Sequence, residues 1–559
     1  MANLMGGRGG GRKREHEWSE FNDIEGDEGK TLVECSHCGE KVSKRIQRIK
    51  NHLEKCRVKN KQDKAVEDIN ENNIPIPPPP KRSRVMDSFV TKTSLNDKIK
   101  LDLQAAKFFY SCNISFHSAE NKEYKKFCEM LRPGYKPPNE RDLAGDLLDQ
   151  VYDEVENKQV ENAKKSESVT ICQDGWESVT HDPILAHSYH DGEKNYLLDI
   201  KDCGSNKKDG EFCCNEVVKV IQEFKEKTGK EVFAVCTDNE PKMLRMRRLL
   251  LETGLVCLCY GCQAHYMNLL GNDVSDQNLL GKILTVQKHF RNVHRAHGLL
   301  KEKGGKVPVI PCQTRWNGKI DTLESYIENH SLYLEIRDED SEIPNDVAKV
   351  IDNLSLKRKA QQTLDDMKKI AVALDKLQSD SCSLSDAFDI WNSLLIDPEL
   401  ASYKRAIKKR YDEAVEPFFI LANLTDHRFI ENNKVDASQE KVAEDWLQNF
   451  ESSFFSSYVQ FRLKDENNYP QYLFNDNMKS MTAKKWWKFV KMKAEKQGDS
   501  DQTQFADFMT RLHSCPSSSA SLERWFSSLG FVWSKTRNRL GHVKAMKLVK
   551  CFRALRENV

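Results

Sequence analysis

A chain of 559 residues, 38% hydrophobic and 31% charged, is long enough for about three or four domains at roughly 150 residues each and too apolar for wholesale disorder. Its 87 Lys+Arg nearly cancel its 85 Asp+Glu, so net charge names no partner and any nucleic-acid surface must be local. Seventeen cysteines spread along the whole length exclude the short, dense, even-numbered framework of a secreted disulfide scaffold and fit reduced thiols inside a cell, a subset of them on a metal. The opening MANLMGGRGGGRKREHEW has no apolar h-region and no run of 18 apolar residues occurs, so neither a secretory leader nor a membrane span is expected.

In chain order, residues 1–14 are Gly/Arg-rich and read as a disordered basic tail. Residues 15–60 hold a compact Cys/His cluster. Cys35 and Cys38 form C-x2-C, His52 and Cys56 form H-x3-C, and 13 residues separate the two pairs. A turn supplies two ligands and a helix supplies two more one turn apart, which is the tetrahedral set that zinc requires. The helix is SKRIQRIKNHLEKC, with Ile46, Ile49 and Leu53 on its apolar side; His37 lies inside the knuckle, which argues against ligation. Residues 41–64 contain ten Lys/Arg against two Asp/Glu. Lys44, Arg45, Arg48 and Lys50 on that helix are candidates for DNA phosphate or major-groove contacts, the alternative being a solvated basic face. Residues 61–97 are a linker by composition, and PPPPKRSR within it reads either as a nuclear import signal or as solvated linker.

Residues 98–165 are helical in pattern, with KIKLDLQAAKFFYSC and RDLAGDLLDQVYDEVEN as the clearest amphipathic runs and RPGYKPPNE breaking the chain between them. Four short β-rich runs follow at 168–176, 196–200, 231–238 and 254–261, with a helix over 212–229 ending at Gly229. This implies an α/β layer over 166–264. Residues 265–510 read almost entirely helical, including 357–378 and 403–424. Residues 511–559 open on SSSASLERWFSSLG, where Leu522, Trp525, Phe526 and Leu529 mark one helix face, and continue as a basic amphipathic stretch.

Asp174 follows the strand-like SVTIC and Asp238 ends the strand-like EVFAVCTD. Strand-end aspartates are common turn formers. Two of them at neighbouring strand ends also supply the hard oxygen ligands that a pair of divalent cations needs for phosphodiester chemistry. Glu523 has a bland account of its own, as a carboxylate favoured near a helix N-terminus.

Several motifs in one order carry a resemblance. Trp18 and Phe21 ahead of the Cys/His cluster resemble a BED zinc finger. DGWESVTHDPI (174–184), CTDNEPKM (236–243), GCQAHYMNLL (261–270), TRWNGKIDTL (314–323) and the segment 517–541 resemble, in family order, the motifs of hAT-superfamily DNA transposases. The resemblance implies an N-terminal BED-type finger and an RNase H-like domain split by a large all-α insertion, hence a multidomain α/β plus α fold. It implies an Asp174, Asp238 and Glu523 triad holding Mg²⁺ or Mn²⁺, with zinc as a structural ion. Cys262 and His265 would lie beside the active site, His265 near the scissile phosphate. Arg315 and Trp316 would handle DNA, the tryptophan stacking on an unpaired or flipped base. Trp486 and Trp487 match a family aromatic pair but read best as core.

By the same resemblance, 98–165 is a helical DNA-binding and intertwining region and 511–559 closes the RNase H-like core and carries dimerisation. The expected partners are double-stranded DNA at transposon ends and targets and further copies of the chain, without a membrane, in the nucleus. The chain departs from the motif at Glu240, Pro241 and Lys242, directly after Asp238. That leaves two functions open: an active transposase, or a transposase-derived, non-catalytic DNA-binding regulator of transcription or chromatin.

Overall fold

The structure, a computed structural model, describes residues 21–25, 31–36, 38–43, 48–53, 56, 93–177, 183–311, 316–432, 434–534 and 540–557. The chain is mixed α/β and mostly helical, and it divides into two compact units, Met1–Thr91 and Lys92–Val559.

In the first unit, β1 (Phe21–Glu25), β2 (Thr31–Cys35) and β3 (Lys41–Ser43) form an antiparallel sheet in that order. Residues 48–53 are helical. Among the described residues, the buried apolar and thiol side chains here are Phe21, Val33, Cys35, Ile49, Leu53 and Cys56, with His52 also buried. So small an apolar cluster is marginal without a cross-link or a metal.

The second unit opens on α1 (Leu95–Ser111), started by a capping box in which Ser94 and Asp97 satisfy each other's backbone N–H, and reaches α2 (Asp146–Lys165). The sheet follows: β4 (Thr170–Glu177), β5 (Pro183–His190), β6 (Asn195–Asp202), α3 (Gly210–Thr228), β7 (Ala234–Thr237), α4 (Pro241–Glu252) and β8 (Leu258–Gly261). Its order is β6-β5-β4-β7-β8. The first three strands form an antiparallel meander, and β7 and β8 run parallel to β4. Side chains alternate between two cores. Ile171, Val235 and Cys259 face α3 and α4 on one side, whereas Cys172, Cys236 and Tyr260 join the large core on the other. Gly229 ends α3 in the left-handed conformation at φ 70°, the stop that its sequence position predicts.

Two expectations are corrected. The pattern PILAHSYH gives no sign of a strand, yet it forms β5, because a strand between two neighbours and covered on both faces is buried almost throughout and loses the alternation that reveals half-buried strands. Residues 403–424, read as one helix, are two helices, Lys404–Ala414 and Pro417–Leu424. Pro417 has no N–H to continue a helix, and it forces Glu416 to an extended conformation (φ −80°, ψ 155°).

Helices fill residues 263–512, from α5 (Gln263–Val274) to α6 (Ser500–Leu512). Trp486 and Trp487 are fully buried there, their indoles donating to Leu473 O and Thr425 O at 2.9 Å each, the packing role expected of them. The chain then returns to the sheet. Tyr260 donates to Pro516 O at 2.6 Å, the Gln263 amide to Ser517 O at 3.1 Å, and Ser517 and Ser518 hydroxyls to Leu377 O. This delivers α7 (Ala520–Val532) onto β4, β5 and β6, and α8 (His542–Glu557) onto α1 and α2. Among the described residues no helix is long and apolar enough to cross a membrane.

His513, buried just before the return, shares a hydrogen bond with the Thr425 hydroxyl at 3.2 Å. Burial pushes its pKa down to about 4, and the Arg428 cation adds to the shift. As pH falls from about 6.5 to about 4, the unfolded chain takes up a proton that the fold refuses, so stability is lost in that window. His513→Gln removes this contribution, by up to about 1.4 kcal/mol per pH unit. Denaturant melts at a series of pH values should show a shallower acid loss for the variant.

Candidate functional site

Two clusters of chemistry-bearing side chains emerge, one in each unit. In the first, Cys35 closes β2, Cys38 stands in the turn after it, and His52 and Cys56 come from the helical segment. Their four ligand atoms all lie within 4.8 Å of one another, and Cys38 Sγ is 3.3 Å from His52 Nε2. His52 Nδ1 faces Glu40 at 3.5 Å, which orients the ring so that Nε2 points at the thiols. Burial, then hydrogen bonds from Cys38 and Cys35, push the Cys56 thiol up to about 11. Thiols this close ionise together only around a cation, so the Cys3His set fits zinc. Arg48 and Lys50 lie on the exposed side of the helical segment, opposite Ile49 and Leu53. Lys44, Arg45, Trp18 and His37 lie outside the described residues.

The second cluster is built by strand register. In the parallel pairing of β4 with β7, the last partners are Gln173 and Thr237. The next residues are Asp174 and Asp238, side by side where the two strands part. Asp174 lies within β4, which continues along β5 to Glu177. Gly175 N–H donates to Asp174 Oδ1 at 2.7 Å, and Asp238 Oδ1 accepts from Glu240 N–H at 3.0 Å. Arg247, buried on α4, donates to Thr237 Oγ1 at 2.8 Å and to the Asp238 carbonyl at 2.9 Å, clamping that turn. Glu523 stands exposed in the first turn of α7, and Phe526 one turn later stacks on Trp176 of β4 at 5.8 Å and 11°.

The electrostatics tie the three carboxylates together. Burial pushes the Asp174 carboxyl up to about 8, Asp238 and then Glu523 add repulsion, and the Gly175 N–H and Lys208 oppose it. Burial also raises Asp238; Glu240 adds to this, while His265 and Lys242 counter it. Glu240, the departure from the motif, pairs with Lys242. The three carboxylate groups do not all come within 4.8 Å of one another, the closeness that the Cys3His set achieves.

Cys262 and His265 lie between these parts. Cys262 is buried at the start of α5, its N–H donating to Thr237 O at 2.7 Å. Burial pushes its thiol up to about 12, although it hydrogen-bonds Ser519 beside α7. His265, in the first turn of α5, is close enough for its charge to act on Asp238. Trp316 is enclosed in the core. It is 4% exposed, its indole donates to Ser275 Oγ at 3.1 Å, and its ring lies against the α5 backbone, where a Cβ at Gly271 would collide with it. In this conformation no ring face is open to a base, because both are taken up by packing. Arg315 lies outside the described residues.

Arg247 and Lys208 carry no sequence signal as site residues. Arg247 is visible only as a cation at the apolar spacing of Met243, Met246 and Leu250, and Lys208 sits in the polar run SNKKDGEF.

Two outcomes follow from this geometry. Metal analysis of the full chain should find about one zinc, and a strong chelator should raise hydrogen exchange in peptides from 21–56 while leaving 92–559 protected, since binding free energy at such a site is folding free energy. Gly271→Ala should destabilise the second unit by about 1–3 kcal/mol through overpacking against Trp316, read as a lower denaturation midpoint.

The family described as "Domain of unknown function (DUF659)" matches residues 138–290. That span carries α2, the whole five-stranded sheet, α5 and the helix after it. No curated protein matches the chain. The matched domain is one found in hAT-type, transposase-related proteins, and it covers both aspartates together with Cys262 and His265.

Proposed function

We propose that this chain is a hAT-type DNA transposase, with a BED-type finger for DNA binding and an RNase H-like domain, split by the helices of 263–512, for strand cleavage and transfer. The observation that carries the reading is the β4–β7 register, which sets Asp174 beside Asp238, together with the return of α7, which brings Glu523 close enough to act on Asp174. The sheet order β6-β5-β4-β7-β8, an antiparallel meander followed by two parallel strands, supports the RNase H-like reading, and the matched domain supports the transposase relationship.

Asp174, Asp238 and Glu523 would hold Mg²⁺ or Mn²⁺, and the fit lies in donor chemistry: hard carboxylate oxygens, two of them raised by burial, lack enough positive charge nearby. The chemistry that such cations would supply there is activation of a water or a 3′-hydroxyl and stabilisation of the leaving oxygen. Arg247 holds the backbone of the Asp238 turn, and the Glu240 N–H holds the carboxylate. His265, in the first turn of α5 and within charge range of Asp238, would donate a hydrogen bond to a phosphate oxygen in this reading. The finger's exposed Arg48 and Lys50 face supplies phosphate contacts. The reading implies work on double-stranded DNA in the nucleus by a dimer or larger assembly.

A second reading, a non-catalytic DNA-binding regulator with the same finger, is favoured by the added Glu240, whose carboxylate adds repulsion at Asp238. One experiment separates the two. With Mg²⁺ or Mn²⁺ and a candidate transposon end, Asp174→Asn is expected to lose cleavage by more than about 10²-fold, in the range found when one charge-stabilising group is removed from an active site, with zinc content and DNA binding in the absence of divalent cation unchanged. Equal cleavage by variant and wild type overturns the triad. Binding by wild type without cleavage under either cation supports the regulator.

A further inference from the structure

Lys208 stands outside every role assigned so far. It belongs to the loop joining β6 to α3, and its ammonium reaches back across the sheet to donate to Ile184 O of β5 at 3.1 Å. It lies directly over Gly175, the residue after Asp174, where a Cβ would collide with Lys208 Nζ. A Cβ at 175 would push the ammonium off this position. Its charge reaches the Asp174 carboxyl.

The neighbouring cations are committed elsewhere. Lys242 pairs with Glu240, and Arg247 is spent on Thr237 and the Asp238 carbonyl. Lys208 has no ion pair among the described residues. An ammonium has three donors, and one is used on Ile184. A lysine held by a backbone carbonyl beside the first carboxylate, with donors to spare, has the chemistry of a contact to a phosphate oxygen.

We propose that Lys208 is a substrate contact, holding a non-bridging phosphate oxygen of the DNA strand that lies at Asp174, with Gly175 as the gap that lets it do so. This rests on the reading of Asp174, Asp238 and Glu523 as a cation site. A lysine that served only to offset the Asp174 charge would change carboxylate behaviour without entering the salt dependence of DNA binding.

The test uses the full zinc-loaded chain, a fluorescently labelled duplex with a nick exposing a 3′-hydroxyl, and Ca²⁺, so that binding is read without cleavage. Affinity is measured across a salt series, with and without Ca²⁺, for wild type, Lys208→Met, Lys208→Arg, Gly175→Ala and Asp174→Asn. The finger's contribution is common to all and cancels in the comparison. For Lys208→Met the slope of log K against log salt should shrink by about 1, as for loss of one phosphate contact, with a several-fold weaker affinity. Gly175→Ala, which displaces the ammonium without deleting it, should move the same way, and Lys208→Arg should keep the wild-type slope. A wild-type slope in both Lys208→Met and Gly175→Ala overturns the contact. Should Asp174→Asn also retain the full Ca²⁺ dependence of binding, the cation-site reading itself fails. Loss of that dependence in Asp174→Asn with an unchanged Lys208→Met slope sinks the lysine's role alone.

Discussion

The second unit depends on one closure, the return of residues 515–519 to the strands they left some 250 residues earlier. Five contacts make it. The Thr170 hydroxyl reaches Cys515, Tyr260 donates to Pro516 O, the Gln263 amide to Ser517 O, the Ser517 amide to Cys382 O, and Cys262 meets Ser519. A serine run of this kind ordinarily marks an exposed loop. Here it is buried, and burial is tolerable because its backbone and hydroxyls find carbonyl and amide partners. The return sets where α7 begins, and therefore where Glu523 stands relative to the strand ends. It also joins the helical stretch to the sheet: Gln263 bonds Ala414 O and receives the Trp391 indole, both from helices far along the chain.

A second constraint is electrostatic. The aspartates stand where parallel strands part, with backbone N–H bonds that favour ionisation and burial that opposes it, and at Asp174 burial and repulsion win. An apolar sheet presents mutually repelling acids at one end, countered by a lysine, a histidine and a clamp arginine that holds the backbone rather than the carboxylate. Holding such acids together costs stability. Cys262 and His265 lie at the crossing of all three parts, one tied to Ser519 and the other beside Asp238, so the C-x-x-H segment acts as the joint between strand β8, helix α5 and the returning α7.

The two units are stabilised by different means. The first has six buried apolar or thiol residues in its core and depends on its Cys3His set, whereas the second buries helices and sheet in large contiguous cores. Its aromatic residues serve packing more than recognition. Trp316 lies on the bare backbone at Gly271, and Trp486 and Trp487 are enclosed among Tyr469, Phe461 and Phe474.

Local pattern was enough for whatever is encoded by near neighbours. The C-x2-C and H-x3-C spacings announce four ligands that do converge, since a turn and a helix each hold their pair at short range. Gly229 announces the end of α3, and the apolar runs announce β7 and β8. Pattern was silent where burial on both faces erases periodicity, as in β5, and overran where Pro417 breaks an otherwise continuous helical period. By itself, then, the sequence determined the Cys/His cluster and the α/β-then-helical order, while the acidic candidates came from the resemblance and not from local pattern. Only the tertiary structure decided that Asp174 and Asp238 are neighbours, that Glu523 is returned to them, that Trp316 is core, and that Lys208 lies over Gly175. Each of these depends on strand register or on contacts between residues far apart in the chain, which no local periodicity records.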